Sequence, residues 1–260
     1  MWLAENAAQF QASGNEPAVP RLAATVILMR PTEDGFEVYA QRRAATMAFA
    51  PGMYAFPGGS VDPSDSDAII DWVGPRPEAW AERMTLPVGL AQAVVCAAVR
   101  ELYEEAGVLL SSDAPDHIVS DLSDGRWEAA RTDLVARRHS LTEWFAAAGL
   151  ALRADLLVPW ARWLTPEFEP RRFDTFFFLA RMPADQRARD VGGEADHTVW
   201  LSPAEAATLP MLPPTLYTLG ELALYTDIDA VLAAADQRDV SAPVRPVVEV
   251  DPDGAWLRLA

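Results

Sequence analysis

The sequence contains no lysine. All 21 basic residues are arginine, set against 38 acidic ones, for a formal net charge of −17 over 260 residues. Every mechanism that needs a lysine is therefore excluded, whether a Schiff-base nucleophile, a P-loop lysine or a kinase lysine. With a pI near 4.5, most of the surface repels a nucleic-acid polymer, although a local basic site for a small anion is still allowed. Cysteine is represented by Cys96 alone, which cannot close an internal disulfide, and the three histidines, His117, His139 and His197, match no zinc spacing. Long apolar runs are missing as well. No stretch reaches the length of a membrane span, and the opening residues Met1–Asn6 lack the basic start and apolar core of a signal peptide. These absences predict a cytoplasmic protein with neither a membrane nor a nucleic-acid polymer as partner.

What is present reads as an α/β chain. Residues 1–20 have no period and are expected to form a mobile arm, with a short helix around Trp2–Phe10. The apolar run Ala23–Met29, the turn Pro31–Gly35 and the segment Phe36–Gln41 predict a hairpin. A short strand then ends in the double glycine of Phe56-Pro-Gly-Gly59. Residues 60–90 read as an insertion with a helix near Pro77–Met84, followed by a strong helix Leu90–Ala106 stopped by Gly107, and a strand at Val108–Leu110. Residues 111–155 read as a second insertion with helices at about Arg126–Arg138 and Leu141–Ala148. Strands are expected at Leu156–Leu164, Phe173–Ala180 and Thr198–Leu201. After them come a helix capped by Ser202, helices at Pro214–Tyr225 and Asp227–Asp236, and a tail over 241–260 with an edge strand at Val247–Val250. The core domain is thus expected to run over 21–240.

Chemistry concentrates on one helix. On a wheel of 100° per residue, Val95, Ala98, Val99, Leu102 and Ala106 form an apolar stripe, and Glu101, Glu104 and Glu105 share the adjoining arc. Like charges at i, i+3 and i+4 repel by a few tenths of a kcal/mol per pair even when solvated. Two arrangements satisfy the spacing: a solvated acidic face with Arg100 and Glu104 paired, or a divalent-cation site that turns the repulsion into attraction. The helix alone does not choose between them.

The segment Arg100-Glu-Leu-Tyr-Glu-Glu-Ala-Gly-Val108 resembles the R-E-x-x-E-E-x-G-U core of the Nudix hydrolases, and Phe56-Pro-Gly-Gly59 resembles the strand end that precedes it in that family. The resemblance implies an α/β/α sandwich with a mixed sheet and hydrolysis of a diphosphate linked to another moiety. It also implies Mg²⁺ or Mn²⁺ held by Glu101, Glu104, Glu105 and the carbonyl of Gly59, with Arg100 orienting a glutamate. Two features depart from the usual motif: about thirty residues separate Gly59 from the helix, and Gln92 stands where the family has its first glutamate. An insertion at that point is similar to the coenzyme A diphosphatases of peroxisomes.

Substrate choice is expected to involve other residues. Arg43, Gly52 and Phe56 to Gly59 fit the spacing of the coenzyme A branch, with Ala48 where a second arginine would stand. Arg171 and Arg172, near Trp163 and the Phe176–Phe178 strand, offer planar guanidinium groups for phosphate. In relatives a loop glutamate reaches the metals as an extra ligand or general base, and Glu194 is the candidate here. The expected substrate is a small nucleoside diphosphate derivative, coenzyme A or acyl-coenzyme A first, with ADP-ribose or NADH as the alternative. A non-catalytic ligand-sensing Nudix domain is the remaining alternative. Prenyl diphosphate isomerisation is disfavoured because the lone cysteine, Cys96, sits on the glutamate helix facing away from the carboxylates. Three roles stay open for the surplus segments: covering the substrate, seating a second copy in a homodimer, or no part in catalysis.

Overall fold

The structure, a computed structural model, describes residues 2–47, 50–66, 70–114, 117–189, 195–251 and 254–259. Helix α1 (Trp2–Ser13) precedes the hairpin of β1 (Arg21–Thr32) and β2 (Gly35–Arg43), in which Met29 lies opposite Val38. Two short strands follow, β3 (Tyr54–Ala55) against β2 and β4 (Gly58–Ser60) against β1. Next come a 3-10 turn at Pro63–Ser66, β5 (Asp71–Val73), α2 (Pro77–Met84) and α3 (Val88–Ala106). The second insertion carries β6 (Ser111–Ala114), β7 (His117–Ile118), α4 (Gly125–Val135), α5 (Leu141–Ala148) and β8 (Ala151–Arg153). Strands β9 (Leu157–Leu164), β10 (Phe173–Arg181) and β11 (Ala195–Leu201) lead to α6 (Pro203–Ala206), α7 (Pro213–Leu222) and α8 (Ile228–Ala235). The described chain closes with β12 (Pro246–Asp251) and β13 (Gly254–Leu259).

The main sheet has seven strands, ordered β11-β2-β1-β10-β9 with β3 and β4 at its side. β1 and β10 run parallel and the other neighbours antiparallel, so the sheet is mixed. Strand side chains alternate between faces, and both faces are buried. Ala24, Val26 and Leu28 of β1 with Phe176 and Phe178 of β10 face one core, which α2 and α3 cover. Ile27 and Met29 with Phe177 and Leu179 face the other, closed by α6, α7 and α8. The result is the α/β/α sandwich expected from the sequence.

α3 supplies the stripe inferred from the helical wheel. Val95, Ala98, Val99, Leu102 and Ala106 are fully buried, as is Cys96; removing a buried leucine such as Leu102 costs about 2–5 kcal/mol. The helix stops at Gly107, which takes a left-handed φ of 67° and donates its N–H to Tyr103 O at 3.0 Å.

Several expectations need correction. Val108–Leu110 is not a strand: the three residues are buried without strand pairing, and the Gln186 amide satisfies Leu109 by donating to its carbonyl at 2.8 Å and accepting its N–H at 2.9 Å. A side chain thus does there what a neighbouring strand would do. The first helix extends to Ser13 and lies against β12 and β13. The edge strand expected at Val247–Val250 is present as β12, which pairs with β13 in a separate two-stranded hairpin and does not join the main sheet. The two insertions join each other: β5 from the first pairs in parallel with β8 from the second, within a four-stranded sheet ordered β5-β8-β6-β7. Among the described residues no single helix is long and apolar enough to cross a membrane.

Candidate active site

The glutamates of α3 meet the β4 strand end at one wall of a cavity of about 720 Å³. Gly58 and Gly59 bring the backbone close for separate steric reasons. A Cβ on Gly58 would stand 2.5 Å from Ala24 O, and one on Gly59 would collide with the Glu101 carboxylate. Only glycine lets this strand lie between β1 and the acidic helix. The Gly58 N–H donates to Glu105 Oε2 at 3.1 Å, and the Gln41 amide from β2 donates to the same oxygen.

Arg100 is buried behind the glutamates. It donates from Nη1 to Glu101 Oε1 at 2.8 Å and to Glu104 Oε2 at 3.4 Å, and from Nη2 to the Ser60 carbonyl at 3.1 Å. Its strongest partner is Asp65, which takes Nε at 2.9 Å and Nη2 at 3.0 Å in a fork-to-carboxylate pair. Asp65 is 1% exposed and comes from the 3-10 turn of the first insertion. Burial opposes the Arg100 charge, but Asp65, Glu101 and Glu104 together outweigh it and hold its pKa above the ordinary value. Burial, partly offset by Arg100, pushes the Glu101 carboxyl up to about 7 and raises Glu104 in the same direction. Both therefore resist ionising until further positive charge arrives.

Glu101, Glu104, Glu105, Arg100 and Gly59 thus line one cavity, and the Arg100–Glu104 pair forms, though the face is largely buried and not solvated. Among the described residues no three histidine, cysteine, aspartate or glutamate side chains already converge as a metal-ligand set; Arg100 sits between Glu101 and Glu104.

The other candidates are placed elsewhere. Arg43 ends β2 opposite Ala195 and does not line the cavity, whereas Ala195 does. Phe56 is buried in the core beneath α6–α8, which corrects its reading as a substrate contact: its ring is used for packing. Arg172 is buried and donates to the carbonyls of Thr165 at 3.1 Å and Ala18 at 2.9 Å, so it ties backbone segments together rather than facing the cavity. Arg171 is exposed and also lies outside the lining. Ala48 and Glu194 lie outside the described residues. The lining also includes residues that the sequence did not single out. Asp62 and Ser64 come from the first insertion, and Arg137, Arg138, His139 and Ser140 from the turn between α4 and α5. The only sequence signal for Asp65 was the Asp62-Pro-Ser-Asp65 pattern of a capped turn, in which Asp65 Oδ2 accepts the Asp62 N–H at 2.8 Å.

A mixed sheet between two helical layers, with an R-E-x-x-E-E helix packed on a double-glycine strand end, defines a Nudix hydrolase architecture. The family model described as the NUDT19 Nudix domain matches residues 76–222, more than half of the chain, and the chain belongs to that family. It is 29% identical over 216 residues to a putative nudix hydrolase 7 of Caenorhabditis elegans, covering 80% of this chain and 62% of the relative. It is 29% identical over 245 residues to the human acyl-coenzyme A diphosphatase NUDT19, covering 76% of this chain and 63% of the relative. The chain therefore spans a little under two thirds of the length of these two relatives. A crystal structure of a NUDIX hydrolase from Alicyclobacillus acidocaldarius superposes with a TM-score of 0.70 at 28% identity, covering 87% of this chain and 99% of that one.

Proposed function

We propose that this chain hydrolyses the diphosphate bond of a nucleoside diphosphate derivative, with coenzyme A or acyl-coenzyme A as substrate and Mg²⁺ or Mn²⁺ as cofactor. The observation that carries the reading is the set of glutamates on α3, of which Glu101 and Glu104 have raised pKa values, packed against a glycine pair that leaves no room for a Cβ. Such a set fits a hard divalent ion. Its donors are carboxylate and carbonyl oxygens, and burial disfavours the charged carboxylates until a cation neutralises them. The name of the human relative supports the choice of acyl-coenzyme A.

Glu101, Glu104, Glu105 and the Gly59 carbonyl would hold the ion, which when bound would offset the diphosphate charge and lower the pKa of an attacking water. The chain's own residues set the geometry. Asp65 fixes the Arg100 guanidinium, and Arg100 fixes the Glu101 carboxylate by a charge-assisted hydrogen bond. The Gly58 N–H and Gln41 orient Glu105 through Oε2. Glu194 is retained as a further carboxylate for this site, as general base or ligand, because its neighbour Ala195 lines the cavity. Arg43 is retained as a substrate contact at the same end of β2.

The test is a panel of diphosphate substrates with Mg²⁺ or Mn²⁺, read by product identity. Release of 3′,5′-ADP from coenzyme A is expected; release of AMP from ADP-ribose or NADH alone would replace the substrate assignment. Glu104→Gln and Glu105→Gln should each lower turnover by more than the roughly 100-fold that loss of an outer-shell partner costs, with the fold intact by circular dichroism. Full activity in either variant would refute the site.

A further inference from the structure

The cavity reaches beyond the glutamates to the turn between α4 and α5, and that turn is basic. Of the three arginines among the described lining residues, Arg100 is committed to carboxylates and its side chain is only 10% exposed. Arg137 and Arg138 differ: their side chains are 81% and 57% exposed. Each holds one carboxylate, Arg137 Nη1 meeting Asp62 Oδ2 at 2.9 Å and Arg138 Nε meeting Asp133 Oδ1 at 2.6 Å. In each pair the guanidinium is exposed and the carboxylate half-buried, Asp62 22% and Asp133 37% exposed, so solvent screens the attraction and an incoming anion can compete for the guanidinium. His139 adjoins them on the same wall. Glu143 lines the same wall near His139, with its carboxylate held in the α5 capping box, where it accepts the Ser140 N–H at 2.8 Å.

The turn is held in place with respect to the glutamates. Arg131 of α4 donates from Nη1 to the Glu104 carbonyl at 3.0 Å, and Tyr103 of α3 donates its hydroxyl to the Trp127 carbonyl at 2.6 Å. These bonds fasten α4 to the very turn of α3 that carries Glu104. At the end of α4, Arg137 takes a left-handed φ of 54°, a conformation unfavourable for a residue with a Cβ. Its N–H bonds to Leu134 O at 2.8 Å and that of Arg138 to Asp133 O at 2.9 Å, which fix the backbone there. The Arg137 side chain ties the turn to Asp62 of the first insertion and sets a guanidinium at the cavity.

We propose that Arg137, Arg138 and His139 form an anion subsite that receives a phosphomonoester carried by the substrate away from the scissile diphosphate. Two guanidinium forks and an imidazole match a compact dianion, and arginine suits the paired oxygens of a phosphate better than a point charge would. The second insertion thereby becomes the specificity element of the site, selecting nucleoside diphosphate derivatives that carry an extra phosphate over those that do not.

The subsite rests on the diphosphatase reading, and the experiment separates the two. The intact chain and its R137A, R138A and double variants are assayed with coenzyme A and with dephospho-coenzyme A, which lacks the ribose 3′-phosphate. The expected result is that the preference for coenzyme A, taken as the ratio of kcat/KM values, falls by about tenfold or more in each single variant and further in the double one, on the magnitude of a charge-assisted hydrogen bond. The loss should appear in KM. An unchanged ratio, whether both substrates fall together or neither moves, overturns the subsite. Turnover of neither substrate by the unaltered chain overturns the substrate assignment instead. In that case calorimetric binding of adenosine 3′,5′-bisphosphate against AMP still decides: tighter binding of the bisphosphate by the unaltered chain than by the double variant upholds the subsite, and equal binding removes it.

Discussion

The contact between Asp65 and Arg100 is the sharpest point at which to perturb this site, because it is buried, bidentate and contributed by an insertion. Changing Asp65→Asn keeps the shape and one acceptor oxygen but removes the charge that faces Nε and Nη2 at 2.9 and 3.0 Å. Removing one partner of a buried ion pair costs about 3–5 kcal/mol, since the remaining charge loses its compensation. Arg100 keeps Glu101 at 2.8 Å, so the lower end, about 3 kcal/mol, is expected. For a chain of this size that lowers Tm by roughly 6–12 °C. A structural role alone would stop there. If Asp65 positions Arg100, which in turn positions Glu101, the variant should also bind Mn²⁺ about 10–100-fold more weakly, measured by calorimetry well below its Tm. Asp65→Glu should recover part of that loss, and an Asp65→Asn, Arg100→Met cycle should show a coupling of about 0.5–3 kcal/mol. An Asp65→Asn protein within about 0.5 kcal/mol of the parent, the usual range for an inconsequential surface change, and with unaltered Mn²⁺ affinity would refute the reasoning.

Two further outcomes follow from the same wall of the cavity. Glu101 has a folded-state pKa of about 7 against an ordinary 4.5, so between those values the folded protein binds more protons than the unfolded chain, and its stability falls as pH rises. The penalty is absent below 4.5, complete above 7, and at most about 3 kcal/mol at 1.36 kcal/mol per unit. Metal-free protein should therefore melt higher at pH 5 than at pH 8, and Mg²⁺ or Mn²⁺ should raise the pH 8 value most; a metal-free Tm that climbs between pH 5 and 8 would contradict this. Gly59→Ala should abolish turnover, because its Cβ displaces the Glu101 carboxylate, whereas Gly89→Ala, with open space around its Cβ, should leave turnover intact. Equal activity in the two variants would show that the close approach at Gly59 does not matter.

The parts of this molecule legible in the sequence are those in which neighbours along the chain are neighbours in space. The hairpin of β1 and β2 was marked by its apolar run and turn, and α3 by its stripe and by Gly107, so the three glutamates could be placed on one arc before any fold was known. Elements that depend on distant partners were not legible. Val108–Leu110 has the apolar character of a strand, yet the Gln186 side chain, 77 residues from Leu109, takes the strand's hydrogen-bonding role. Asp65 fell within the insertion over 60–90 with no role assigned, because its partner Arg100 lies 35 positions away. Phe56 and Arg172 have the side chains of substrate contacts and are used for packing and for tying backbone carbonyls. The pairing of β5 with β8, which joins two insertions into one sheet, leaves no trace in local composition because neither three-residue strand has a period of its own.

That joined insertion also bears on how an acidic protein can take an anionic substrate. The net charge of −17 acts weakly over distance, since surface charges are screened within about 8 Å at physiological ionic strength; the balance inside the cavity decides. Among its described lining residues five carboxylates face three guanidinium groups, and one of these, Arg100, is already enclosed by Asp65, Glu101 and Glu104. A diphosphate entering this cavity alone would meet net negative charge. A divalent cation at the α3 glutamates removes that excess at one end, while at the other the exposed guanidinium groups of Arg137 and Arg138 can exchange their half-buried carboxylate partners for an incoming anion. The two ends act on different groups of the substrate: the glutamate end serves any diphosphate, and the arginine turn discriminates among what is attached to it. The division follows from where the residues come from, the common chemistry on the core helix α3 and the discriminating contacts on a turn that the insertion adds, pinned to that helix through Glu104.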